Sequence, residues 1–418
     1  MRTSRKPGRP NQSVTSATRR DCPICRSSSK RTVFAQRFEH LGEVGLLDGY
    51  DVVICNSCGA AYADGIPTQA ALNAYYRDLS KYEYQHRQGR ESGDDEQRLR
   101  DTARVIAELV PYRNSQIYEI GCANGSLLEK LKQMGYRNVC GLDPSPSCAA
   151  IAKRLYGINV HTGAIFDPSA PPASCDLVIA LAVLEHIRDL DSALRKVRNL
   201  LSPSGQAFFE VPDAVHPPVD LDAPFQEFST EHINYFSAIS LANLVEAAGF
   251  RKITCEYGTR QTRPGVSCPV VYGLFEKAEP RAEFVFDDDT ARGLLEYIRN
   301  CEQRDEQLRQ KIAPALAGER VLVWGVGTHT RRLLANGVLK IEKIDAFVDS
   351  NPKYQGQSLR GRPVIAPEMV KNYPAPILIS SYAFQREIAR QVREDLKLAN
   401  RLILLYPDRE ESKVGPNV

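Results

Sequence analysis

No stretch of this 418-residue chain approaches the apolar length of a membrane span; the longest, around "LVIALAVL", has the length of a strand. No membrane partner is therefore expected. The first twenty residues hold no apolar block, so no secretory signal is expected either. They hold no Asp or Glu, against six Arg and Lys, and without them the formal net charge of +3 becomes −3. The positive balance thus belongs to a basic tail, residues 1–20, read as disordered and solvated rather than as a nucleic-acid arm. A transit peptide would need an amphipathic apolar stripe, which is missing. Internal repeats and extended low-complexity runs are also absent.

What remains is an ordinary globular composition, 43% hydrophobic and 25% charged, long enough for two or three domains with their own cores. Of eleven cysteines, seven stand singly and read as small buried apolar residues. The other four form "CPIC" (Cys22, Cys25) and "CNSC" (Cys55, Cys58), two C-x-x-C pairs with 29 residues between them. Each pair can set two thiolates on one side of a tight turn. Two such knuckles give tetrahedral sulfur coordination, a closed structural Zn2+ site rather than a catalytic one. A metal and free thiols together point to a reducing compartment, hence a cytoplasmic location. The zinc-binding segment is set at 21–85, and it lacks a concentrated basic face, so nucleic acid is not an expected partner.

Strands and helices then alternate twice, over 86–277 and over 318–418, with a helical connection at 278–317. The pattern predicts an α/β protein whose central sheet is doubly wound and parallel, with a Rossmann-like domain at the C-terminal end. In the first region, "QIYEIGCANGSLLEKL" reads as strand, glycine loop and helix, with Gly121 and Gly125 letting a ligand approach the helix N-terminus. Its spacing is not that of a dinucleotide fingerprint. Twenty-four residues after Glu119, a second strand ends at Asp143, placed to accept both hydroxyls of a ribose. In the second region, "RVLVWGVGTHTRRLL" repeats the design with Gly325 and Gly327 and an acid at Asp349, but Thr330 replaces the third glycine of a dinucleotide loop. An NAD(P)-binding oxidoreductase working through that loop is the alternative of another class.

"YEIGCANG", "GLDPS" and the "LSPSG" turn before a strand resemble class I S-adenosylmethionine-dependent methyltransferases. The resemblance implies that S-adenosyl-L-methionine is held by Glu119, Gly121, Cys122 and Gly125, with Asp143 at the ribose, Ile165 near the adenine and Ala182 completing the set. Ala123 stands where that family commonly has a second glycine, which should tighten the loop. The order of CxxC…CxxC domain, methyltransferase domain and glycine-loop domain is similar to the three-domain sugar C-methyltransferases along nearly the whole chain. It implies a sugar nucleotide or another small-molecule acceptor in the cleft between the lobes. The oligomeric state is left open.

For the chemistry, "LAVLEHIRDL" puts His186 at the carboxyl edge of the sheet, and "EFSTEHINYFS" puts Glu231 and His232 in a long connection after the fifth strand. The resembled family carries a Glu-His pair there, implying that His232 or His186 takes a proton from the acceptor while Glu231 orients it. The plain alternative is that "STEH" starts a helix with Ser229 or Thr230 as N-cap. Tyr82 and Tyr84 are similar to a catalytic tyrosine of the family. Ser229 is a departure, because the sugar enzymes have a tyrosine there; O-methylation of a saccharide or another small metabolite fits as well as C-methylation next to a carbonyl.

Overall fold

A computed structural model describes residues 17–41, 46–78, 88–166, 173–218, 223–263 and 266–406. Tyr82 and Tyr84 lie outside these residues. Three sheets divide the described chain.

The first is antiparallel: β1 (Lys30–Arg37), β2 (Gly49–Cys55), β3 (Ala61–Asp64) and, from far downstream, β9 (Asn234–Tyr235). β9 pairs with β3 through Ala61–Tyr235 and Tyr62–Asn234. Arg20 fastens the join, donating from Nε to the Ala63 carbonyl at 2.9 Å and from Nη2 to Asn234 Oδ1 at 2.9 Å. Burial brings this guanidinium down to about 9, the cost of placing a cation among backbone carbonyls. Residues 18–20, read from the sequence as part of the basic tail, pack on this lobe: Thr18 bridges to Ile66, and Arg19 bonds Asp64 at 3.0 Å.

The two cysteine knuckles sit at the end of this sheet. Gly59, just after Cys58, has φ of +79°, and an added Cβ would lie 2.1 Å from the carbonyl oxygen of Asp287. Asp287 in turn caps the long helix Asp288–Ala315 and donates its N–H to the Cys58 carbonyl at 3.0 Å. Gly59→Ala combines a left-handed non-glycine residue with a backbone clash, and should destabilise the protein by about 2–5 kcal/mol, read as a shift of the urea midpoint.

The second sheet has seven strands in the order β10, β11, β8, β7, β4, β5, β6. In chain order these are β4 (Gln116–Ile120), β5 (Asn138–Asp143), β6 (Asn159–Thr162), β7 (Cys175–Leu181), β8 (Leu201–Pro212), β10 (Phe250–Arg263) and β11 (Val266–Lys277). β11 runs antiparallel to both neighbours, and the other pairings are parallel. The alternation of β7 makes a core on each face. Val178 and Ala180 pack with Leu194, Val197 and Leu241, while Leu177 and Ile179 pack with Ala103, Ile106, Leu127 and Leu131. The expected "LSPSG" turn is absorbed into β8 as a slip of register against β7 between Cys175 and Leu177. Around the sheet lie α1 (Gln69–Asp78), α2 (Gly93–Leu109), α3 (Ser126–Gln133), α4 (Pro146–Tyr156), α5 (Leu190–Leu200) and α6 (Ala238–Ala247).

α7 (Asp288–Ala315) leads to a third sheet: β12 (Val321–Trp324), β13 (Ile344–Val348), β14 (Ser358–Leu359), β15 (Arg362–Ile365), β16 (Ile377–Ile379) and β17 (Leu402–Leu404). It is parallel except at the β14–β15 hairpin. Its first helix, α8 (Thr328–Ala335), anchors on the N-terminal lobe through Arg331, which donates to the carbonyls of Glu39 and Leu47. No helix among the described residues is long and apolar enough to cross a membrane. Of the seven single cysteines, Cys122, Cys148, Cys175 and Cys301 are buried, but Cys140, Cys255 and Cys268 are only partly so.

Candidate active site

A cavity opens over the carboxyl ends of β4, β5 and β7, where parallel strands direct their loops. Each cofactor residue expected from the sequence lines it: Glu119, Gly121, Cys122, Asp143, Ile165 and Ala182, with the exception of Gly125, which lies beneath as the left-handed N-cap of α3. Gly121 has φ of +69°, and an added Cβ would meet Val183 Cγ2 at 2.6 Å, so a side chain here would displace the cavity's far wall. Ala123 adopts φ of +46°, the left-handed region that favours the glycine it replaces. Cys122 buries its thiol in the space Gly141 leaves, since a Cβ on Gly141 would lie 2.3 Å from that sulfur.

Asp143 is oriented by the backbone. Its Oδ2 accepts the N–H of Ala123 at 2.8 Å and its Oδ1 that of Ser145 at 2.9 Å, which holds both oxygens at the lip of the loop. Burial raises its pKa to about 6, and these two bonds oppose the rise. Glu119 is more severely desolvated. It is 3% exposed, its Oε2 has no hydrogen-bond partner among the described residues, and burial followed by the nearby Asp143 raises it to about 8. A buried carboxyl with an orphaned oxygen suits a cationic ligand amine, such as the amino group of S-adenosylmethionine. That donor set, with the hydroxyl-accepting Asp143 and apolar Ile165 and Leu142, fits the cofactor.

The sign of the pH effect follows. Because the folded carboxyl of Glu119 holds its proton above its ordinary 4.5, the ligand-free protein loses stability as pH rises from about 4.5 to about 8. A bound amine favours the carboxylate and reverses this, so affinity should climb as pH rises towards 8 and level off above it. Calorimetry of S-adenosylhomocysteine binding at pH 7 in buffers of different ionisation enthalpy should show a net release of up to about one proton per chain.

Four thiols gather as expected. Cys22, Cys25, Cys55 and Cys58 can each offer one sulfur within 4.8 Å of the others. Cys22 and Cys58 sulfurs lie 3.6 Å apart, Cys25 and Cys55 3.4 Å. Sulfurs at ~2.3 Å from one zinc would be spaced by about 3.8 Å in a tetrahedron, so the cluster needs only slight expansion. The hydrogen bond with Cys58 draws the Cys22 thiol down to about 5 and pushes Cys58 up, so the empty cluster shares protons that a divalent cation would replace. The second knuckle carries Gly59 in the left-handed region, but the first uses Arg26, φ +65°, which no glycine signal announces.

His186, Glu231 and His232 come together from two loops beside the cavity. Backbone bonds lock the loops: the Ile233 N–H donates to the Glu185 carbonyl at 2.8 Å, and Asn234 Nδ2 to the carbonyls of Leu184 and Ile187 at 2.7 and 2.8 Å. The rings of His186 and His232 meet edge to face at 5.1 Å. His186 lines the cavity, and its Nδ1 lies 2.9 Å from the Glu231 carbonyl. The Tyr76 hydroxyl lies 3.0 Å from the same nitrogen, so the imidazole is held from two sides.

The stretch before β9 is not a helix start. Ser229 Oγ accepts the N–H groups of Glu231 at 3.3 Å and His232 at 3.2 Å, a local turn, whereas the helix cap is Ser237, with a complete capping box to Ser240. The phenol missing at Ser229 has counterparts from α1. Tyr75 donates to Glu231 Oε1 at 3.0 Å, and Tyr76 lies 3.0 Å from His186 Nδ1. These two tyrosines, and the cavity-lining Gln69, Asn73 and Arg98, carry no motif. Glu185 was legible only as the neighbour of His186.

Strand order with a reversed β11, a glycine loop after the first strand and an acid ending the second define a class I S-adenosylmethionine-dependent methyltransferase, and the protein is a methyltransferase. Residues 95–255 match the family described as "Methyltransferase domain", and residues 317–404 the one described as "C2185-like, N-terminal". The chain is 25% identical over 373 residues to the C-methyltransferase NovU of Streptomyces niveus, covering 86% of each. It is 26% identical over 164 residues to a ubiquinone biosynthesis O-methyltransferase of Albidiferax ferrireducens, covering 35% of this chain and 63% of that protein. Among solved structures it is similar to the 1,6-didemethyltoxoflavin-N1-methyltransferase of Burkholderia thailandensis, at 18% identity and a TM-score of 0.40, covering 53% of this chain and 96% of that one.

Proposed function

We propose that the protein methylates a carbon next to a carbonyl in a sugar nucleotide, in the cytoplasm, with a structural zinc in its N-terminal lobe. The observation that carries this is the cluster of His186, His232, Glu231 and Tyr75 at the cavity wall, formed only because β9 joins the N-terminal sheet. Likeness to NovU across 86% of both chains supports it, since it extends well beyond the methyltransferase region at 95–255.

S-adenosylmethionine supplies a methyl group already activated as a sulfonium. The protein's part is to hold the acceptor in line and remove its proton. His186, which lines the cavity and is steadied at Nδ1 by the Glu231 carbonyl and the Tyr76 hydroxyl, serves with His232 as the base. His232 stands beside it, with Nδ1 3.7 Å from Glu227 Oε2. The Glu231 carboxylate, steadied by Tyr75, orients the acceptor hydroxyls. Proton loss leaves the acceptor an enolate, whose carbon takes the methyl as the carbon–sulfur bond breaks.

The nicotinamide reading of the C-terminal loop is disfavoured by Thr330. Its hydroxyl donates to the Gly325 carbonyl at 2.6 Å and lies 2.8 Å from Ser380 Oγ, filling the space the third glycine of a dinucleotide loop leaves open. Radiolabelled S-adenosylmethionine incubated with a panel of keto-deoxy and hydroxyl-bearing sugar nucleotides is the direct test. Label in an alkali-stable C-methyl product is expected, falling about 100-fold or more in His232→Ala. Label found only as an O-methyl group, or in no sugar nucleotide at all, would refute the reading.

A further inference from the structure

We propose that Arg98 of α2 binds the carboxylate of S-adenosylmethionine, and so makes the protein select the intact amino-acid form of its cofactor. Four acids line the cavity over β4, β5 and β7, namely Glu91, Asp95, Glu119 and Asp143, and among its described lining residues Arg98 is the one fixed cation. The cofactor brings three polar groups. Asp143 is placed for the ribose and Glu119 for the ammonium, which leaves the carboxylate to be matched. A carboxylate entering a pocket of acids is repelled unless a cation meets it.

Arg98 reaches the cavity through helical spacing. Asp95, Arg98 and Leu99 fall at i, i+3 and i+4, on a stripe that continues in the buried Thr102, Ala103 and Ile106. Burial raises the carboxyls of Glu119, Glu185 and Glu210, and the positive charge of Arg98 opposes the rise in all three, so the guanidinium faces the ends of β4, β7 and β8. Yet it does not satisfy them. Glu119 Oε2 and both Glu185 oxygens have no hydrogen-bond partner among the described residues, and Glu210 accepts from Thr102 at 3.1 Å and from Arg260 at 2.8 Å. Asp95 Oδ2, one turn back, is held by Ser92 Oγ at 2.7 Å. A planar fork of N–H donors therefore remains for an anion, and a carboxylate matches it two atoms to two.

The glycine loop offers no substitute. Such loops commonly turn backbone amides towards an anion, but here the amides are committed. Gly121 and Cys122 donate to the Leu142 carbonyl at 2.7 and 3.2 Å, Ala123 to Asp143 at 2.8 Å, and Gly125 to the Cys122 carbonyl at 2.8 Å. The ammonium and carboxylate of the cofactor share one carbon, so the acid that takes the first and the cation that takes the second must be neighbours. Arg98 is close enough to Glu119 to act on its carboxyl.

This rests on the cofactor described above and not on the acceptor, so failure of the sugar-nucleotide reading would leave it standing. The test is calorimetric titration of the full-length protein with S-adenosylhomocysteine and with its decarboxylated form, which keeps the amine and lacks the carboxylate. Wild type is expected to bind S-adenosylhomocysteine about 30-fold or more tightly than the decarboxylated form. Arg98→Met should erase that preference, binding the first about 30-fold more weakly and the second within about twofold of wild type, which also shows the variant to be folded. Arg98→Lys should keep part of the preference, because a point charge without the fork still attracts the carboxylate. Equal affinity of wild type for the two ligands would overturn the assignment, and so would an equal loss for both in Arg98→Met. A preference kept in Arg98→Met would overturn it as well, and a raised KM for the methyl acceptor would then give the guanidinium to the acceptor instead.

Discussion

Asp143→Ala should weaken S-adenosylhomocysteine binding by about 100-fold, equivalent to roughly 2.7 kcal/mol. The carboxylate has two duties that one substitution removes together. It ties the Ala123 and Ser145 amides, and so fixes a loop in which Ala123 already sits at a positive φ. It also presents the remaining lone pairs of both oxygens to the hydroxyls of a ribose. Asp143→Asn separates these duties, because its oxygen can still accept one amide while its nitrogen would face another. That variant should fall between, at about a tenfold loss. Calorimetry decides: wild-type affinity in both variants would mean that the ribose lies elsewhere. The carboxyl's pKa of about 6 adds a further check, since affinity should drop as pH falls through that value.

The second large effect concerns a part of the molecule that does not line the cavity. Cys55→Ser, or prolonged chelation, would remove the proposed zinc; in small domains such a metal supplies about 10–16 kcal/mol of folding free energy. The sheet beside the cluster holds β9, and β9 holds Glu231 and His232 against His186. Methyl transfer should therefore fall to about 1% or less, while S-adenosylhomocysteine affinity stays within about tenfold, because most cavity residues lie on the strand ends, loops and helices around the seven-stranded sheet. Zinc content, transfer rate and ligand affinity measured on one preparation test this. Full transfer at zero zinc would show that the lobe does not set the catalytic loop.

Parts of this site were open to reading from sequence because they are local. Glu119, Gly121 and Asp143 lie at strand ends, where one stretch of alternating apolar residues and one turn fix position and role. The four cysteines announce themselves by spacing. The rest depends on tertiary partners. Ser229 or Thr230 reads as a helix cap in the sequence, but the cap is Ser237, which packs against Asp287 at 2.6 Å. Glu185 gains its meaning from His232, and Tyr75 from Glu231, each pair far apart in the chain. A two-residue strand such as β9 has no periodicity to detect; its partner β3 and the Arg20 clamp create it.

That late strand has a consequence for how the chain is made. Residues 22–64 emerge from the ribosome early and can bring their two knuckles together, yet one edge of their sheet stays bare until Asn234 and Tyr235 have been synthesised. Through that interval β3 offers unpaired amides and carbonyls, a template for mispairing with another nascent chain. Completion of the first sheet thus requires that strands β4 to β8 have already been translated, and a truncated product ending before β9 should be recognised by chaperones as unfinished.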